Sequence, residues 1–86
     1  MVLDHKIIAI HASERPEIGA RIQQILTRYS KDVKTRLELQ PEDHDSGILI
    51  VELFTGEFAD PIIAALKSIG VDARIITFTH SDMDDD

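Results

Sequence analysis

Hydrophobic positions fall into two rhythms along the chain. Ile7-Ile-Ala-Ile-His-Ala12 is short, β-branched and nearly continuous, which predicts a strand. Ser13 follows as an N-cap and Pro16 falls in the first helical turn, where a missing N–H costs little. Ile18, Ile22, Ile25, Leu26 and Tyr29 then recur at helical spacing, predicting a helix over roughly Glu14 to Tyr29, with Glu17 and Arg21 paired on its wet side. Val33, Thr35, Leu37 and Leu39 alternate with Lys34, Arg36, Glu38 and Gln40, the period of a half-buried strand. Pro41-Glu-Asp-His-Asp-Ser-Gly47 is turn chemistry, and Ile48 to Phe54 is a second β-rich run, so these two strands should form a hairpin. Thr55-Gly56 ends it. Asp60 is expected to cap a second helix, with Pro61 at its first position, a stripe of Ile62, Ile63, Leu66 and Ile69, and Gly70 placed to stop it. Val71 to Thr79 completes the pattern as a strand.

The order β-α-β-β-α-β predicts a ferredoxin-like α+β fold, the split βαβ arrangement, with right-handed crossovers. The expected antiparallel sheet has strand order 4-1-3-2, with both helices on one face and the other left open. Leu49, Val51 and Leu53, with Ile8, Ile10 and Ala12, form the phase expected to face the helices. The open face should then carry His5, Ile7, Ala9 and His11 from the first strand, Lys34, Arg36 and Glu38 from the second, and Ile48, Ile50, Glu52 and Phe54 from the third. The last strand is ambiguous, because Ala73, Ile75, Thr77 and Arg74, Ile76, Phe78 are comparable phases; the second is assigned to the open face. A solvated antiparallel face normally alternates to polar residues. An apolar patch built from Ile7, Ile48, Ile50, Phe54, Ile76 and Phe78 instead reads as an oligomer interface, dimeric or tetrameric. The competing reading is a merely mixed, solvated face.

Eighty-six residues allow one small domain, assigned to residues 1–80. Sixteen acids against nine Lys and Arg give a net charge of −7. Four of those acids lie in Ser81-Asp-Met-Asp-Asp-Asp86, an acidic tail expected to be mobile; without it twelve acids face nine bases. The chain has no cysteine, which removes disulfides and thiolate sites and fits a cytoplasmic setting. It has no apolar run of about 18 residues, so no membrane partner is expected. Met1-Val-Leu-Asp-His-Lys is not a signal peptide pattern. Few aromatic residues and an acidic balance argue against nucleic acid as a partner.

A resemblance also runs through the chain. Arg21-Ile-Gln-Gln-Ile-Leu-Thr-Arg-Tyr29, Val33-Lys-Thr-Arg36, Gly47-Ile-Leu-Ile-Val51, Ile63-Ala-Ala-Leu66 and Gly70-Val-Asp-Ala-Arg-Ile75 resemble small bacterial proteins described as iron-only hydrogenase system regulators. These look like ACT-type regulatory modules and are similar in fold to the C-terminal domain of the nickel-responsive repressor. The likeness covers residues 5 to 79 and rests on apolar positions rather than a catalytic signature. It implies a self-associating module that binds a small effector, with no catalytic residues and no named cofactor.

Candidate chemistry is sparse. Antiparallel pairing of the first and last strands should bring His5 near His80, with Asp4 and Asp82 close by, a set able to hold a transition metal. Exposed strand-end histidines are the plain alternative. His44 among Glu42, Asp43 and Asp45 lacks calcium-loop spacing and reads as a solvated hairpin tip. Ser13 and Arg15 at the first strand-to-helix turn, and Gly56 at the matching second turn, form a possible small-effector turn, against an ordinary N-cap. No phosphate loop, nucleophile elbow or zinc-protease motif is present, so a non-catalytic protein is expected. His11 on the sheet keeps a small cofactor-free enzyme as an alternative, and a metal-responsive binder using His5 and His80 as another.

Overall fold

The structure, a computed structural model, describes residues 2–12, 16–39 and 47–81. Its elements are β1 (Val2–Ala12), α1 (Pro16–Arg28), β2 (Val33–Leu39), β3 (Gly47–Leu53), α2 (Ala59–Ser68) and β4 (Asp72–Ser81). The four strands form one antiparallel sheet in the order β2-β3-β1-β4, the expected topology read from its other edge.

One face of the sheet makes the core. Ile8 pairs with Val51, and Ile10 with Leu49 on one side and Ala73 on the other, so these side chains share a face. All are buried, together with Leu53. Ile22, Ile25 and Leu26 of α1 and Ala59, Ile62 and Leu66 of α2 close over them. Tyr29 and Phe58 bring the ends of the helical layer together, ring centroids 5.6 Å apart.

The ends of the elements correct several expectations. β1 begins at Val2 rather than Ile7, because its first half pairs with β4 although it lacks an apolar pattern. β4 likewise runs on to Ser81, the first residue of the expected tail; residues 82–86, like His44 and its acidic neighbours, lie outside the described residues. Phe58, not Asp60, is the N-cap of α2, and it makes no side-chain cap. The Ala59 N–H instead donates to the Gly56 carbonyl at 3.2 Å, winding the first turn back onto the preceding loop. Asp60 sits inside that turn, where a carboxylate favours the helix dipole. Gly70 ends α2 as expected: it adopts φ +82, and the Val71 N–H reaches back to the Leu66 carbonyl at 3.1 Å.

The phase of β2 is the substantive correction. The register slips between Val33, opposite Leu53, and Thr35, opposite Glu52. A β-bulge there places Lys34 and Thr35 together against one residue. Beyond it Leu37 pairs with Ile50 and Leu39 with Ile48 on the open face, while Arg36 and Glu38 pair with Val51 and Leu49 on the helix side. Arg36 accordingly donates to Gln23 Oε1 on α1. Only Lys34 of the three expected polar residues stays beside the open face.

Candidate functional site

The open face is the feature that the fold leaves unexplained. It carries Ile7 and Ala9 from β1, Leu37 and Leu39 from β2, Ile48 and Ile50 from β3, and Ile76 and Phe78 from β4, by strand pairing. Leu37 is 55% exposed, Leu39 48%, Ile48 42%, Ile76 44% and Phe78 50%. Ile7 and Ile50 are half-buried among them. Phe54 lies one residue beyond β3 and is the most exposed large apolar side chain among the described residues. The bulge therefore enlarges the patch by two leucines that the strand's alternation had assigned inward.

Polar groups gather at two places on this face. His5 and Glu52 meet across β1 and β3, with Nε2 2.6 Å from Oε2. Lys34 Nζ stands 3.8 Å from the same carboxylate oxygen. The His5 hydrogen bond, chiefly, holds the Glu52 carboxyl below the ordinary carboxylate range; burial opposes this, and the Thr35 side chain and the Lys34 charge reinforce it. At the other end Arg74 Nη2 lies 3.6 Å from Asp72 Oδ2. A shallow pocket of about 230 Å³ there is lined by Ala9, Ile10, His11, Ile48, Asp72 and Arg74.

The expected metal pair is placed as follows. The backbone of His80 stands opposite Leu3, two residues beyond the Phe78 that partners His5, and the His80 side chain lies outside the described residues. His5 is turned to Glu52. Among the described residues no three histidine, aspartate or glutamate side chains converge as a metal set.

Of the expected effector turn, Ser13 and Arg15 lie outside the described residues. Gly56 is described, and its surroundings reveal a residue that sequence reading missed. Asp32, 2% exposed, accepts hydrogen bonds from the Thr55 N–H at 2.7 Å, the Thr55 hydroxyl at 2.8 Å and the Gly56 N–H at 3.1 Å. Its own carbonyl accepts from the Phe54 N–H at 2.8 Å. Burial alone would raise the Asp32 carboxyl; the donors of Thr55, Phe58 and Gly56 outweigh it and hold the group below the ordinary range. The amides that an anion would need at this turn already serve an internal carboxylate. Gly56 adopts φ +75, and a Cβ there would come 2.7 Å from Lys6 Cδ. Gly19 in α1 has open space at the same position. Gly56→Ala should therefore lower stability by about 1–2 kcal/mol, and Gly19→Ala should raise it by about 0.5–1 kcal/mol. Urea unfolding of the two variants checks both signs.

No family model matches the chain, and no curated protein does. Solved structures do match. TM1266, an uncharacterized protein from Thermotoga maritima, superposes with a TM-score of 0.73 at 17% identity, over 94% of this chain and 100% of that one. The regulatory subunit of aspartate kinase from Thermus flavus gives 0.65 at 19% identity, over 92% of this chain and 57% of that one. A PII-like signaling protein from Thermus thermophilus gives 0.62 at 16%, over 92% and 90%. The chain has an ACT-like, PII-like fold. The same fold extends to SnoaB, a cofactor-independent oxygenase from Streptomyces nogalater, with a TM-score of 0.53 at 13% identity over 99% and 97%. The fold alone therefore does not select between regulation and catalysis. No helix among the described residues is long and apolar enough to cross a membrane.

Proposed function

We propose that this chain is a non-catalytic regulatory module that self-associates through its open sheet face and senses a small effector. The observation that carries the reading is the row of five half-exposed large apolar residues, Leu37, Leu39, Ile48, Ile76 and Phe78, on a face that a solvated sheet would make polar. The regulatory and signalling proteins among the fold neighbours support the same class, as does the sequence resemblance to iron-only hydrogenase system regulators. Native mass spectrometry of the protein purified from its own host tests both halves together. An oligomer of the 9.7 kDa chain retaining a discrete small mass is the expected result. A bare oligomer would remove the sensing role, and a bare monomer would remove self-association as well.

A further inference from the structure

β1 is longer than the sheet that it belongs to. Ile7 to Ala12 pair with β3, whereas Val2 to Lys6 pair only with β4, from Ser81 back to Thr77. A two-stranded ribbon therefore projects five residues, roughly 17 Å, past the four-stranded plate. A two-stranded ribbon is marginal in water unless something packs on it.

The two sides of the ribbon differ. Asp4, Lys6, Thr77 and Thr79 share the helix side of the sheet by register, and the Thr79 hydroxyl donates to Asp4 Oδ1 at 3.2 Å. His5 and Phe78 pair on the other side and continue the open face outward, with Phe78 half exposed.

Charge identifies what can cover this surface. The chain carries a net charge of −7, yet among the described residues the open face holds two bases and two acids, Lys34 near Glu52 and Arg74 near Asp72, each pair within 4 Å. Copies related by a two-fold axis present the same surface patch to each other. A locally neutral apolar face is the part of an acidic chain that can meet its own image without repulsion. Size points the same way. The plate measures roughly 19 by 20 Å from strand spacing and rise, about 380 Å² in projection, and the ribbon adds about 170 Å². A standard interface buries on the order of 800 Å² on each partner, so plate and ribbon together come nearer to that class than the plate alone.

We infer that the β1–β4 ribbon is an arm that lies across the open face of a second copy, packing Phe78 of each chain on the apolar plate of the other. This rests on the self-association proposed above and adds which segment completes it.

The test uses the full chain and its variants in sedimentation equilibrium, with circular dichroism as the folding check. Phe78→Glu should weaken association at least about tenfold, while Thr77→Glu on the ribbon's other side leaves it unchanged. In hydrogen exchange, the amides of residues 2–6 and 77–81 should exchange about tenfold more slowly in the wild-type assembly than in monomeric Ile50→Glu. Association of Phe78→Glu at the wild-type constant, or equal ribbon exchange in the two states, overturns the arm and leaves plate-to-plate association standing. If Phe78→Glu does not fold, the exchange comparison decides alone. A wild-type chain that stays monomeric at all concentrations overturns both the arm and the association it rests on.

Discussion

Asp32→Ala should lower the stability of the fold by about 3 kcal/mol, which for a domain of this size lowers the melting temperature by roughly 10–20 °C. The carboxylate is nearly inaccessible and accepts from the Thr55 N–H, the Thr55 hydroxyl and the Gly56 N–H, joining the start of β2 to the turn that leads into α2. Removing it strands two backbone donors in a site that water barely reaches, and each unsatisfied donor costs about 1–3 kcal/mol. Asp32→Asn should lose less, because one carbonyl oxygen survives, although its NH₂ then faces a donor. Asp60→Ala, at an exposed position in the first turn of α2, should change stability by under about 1 kcal/mol and serves as the control. The Asp32 carboxyl is held below its ordinary range in the folded state, so its contribution is complete above that range and is lost as pH falls through the folded value. Glu52 is shifted in the same direction and adds to the same acid limb. The melting difference between wild type and Asp32→Ala should therefore narrow from pH 7 to about pH 2. An unchanged difference across that range would mean that the stabilisation does not come from the ionised carboxylate.

Asp32 also marks where sequence reading stops. Its partners are 23 and 24 residues away, and nothing beside it distinguishes it from any acid at a helix exit. His5 and Glu52, 47 residues apart, become neighbours only through the β1–β3 register. Element order and the inward phases of β1 and β3 were legible because apolar side chains recur there at an uninterrupted period of two. β4 offered two comparable phases, and burial resolves it: Ala73 goes into the core, while Ile76 and Phe78 remain exposed. β2 has a cleaner alternation than β4 and still misleads. Val33, Thr35, Leu37 and Leu39 look like one stripe, but the bulge at Lys34–Thr35 sends Val33 to the core and both leucines to the open face. A bulge is one extra residue in the pairing, and pairing is not written in a single strand. The ribbon half of β1 was missed for a related reason: Asp4, His5 and Lys6 show no apolar alternation, and their strand conformation is fixed by β4.

Ile50→Glu should convert the proposed assembly to a 9.7 kDa monomer that keeps its fold. Ile50 stands mid-face, between Ala9 of β1 and Leu37 of β2, and two residues from Glu52 on the same side of β3. In a separate chain the new carboxylate can turn to solvent at small cost to the core behind the sheet. Under a second copy it would be buried without a partner among Ile7, Leu37 and their images, a loss of about 3–5 kcal/mol, or more than a hundredfold in affinity. Nearby Glu52 adds like-charge repulsion, and the Lys34 ammonium beside it is already engaged. The bulge sharpens the test, because it decides which β2 residues belong to the face. Leu37→Glu should dissociate the assembly as Ile50→Glu does, whereas Arg36→Glu, on the helix side beside Gln23, should leave the molar mass unchanged. The alternation of β2 read without its bulge gives the opposite order for that pair. Light scattering on the three variants separates the possibilities: dissociation by Arg36→Glu alone would move the interface to the helical layer, and an unchanged mass in both Ile50→Glu and Leu37→Glu would remove the open face as a site of association.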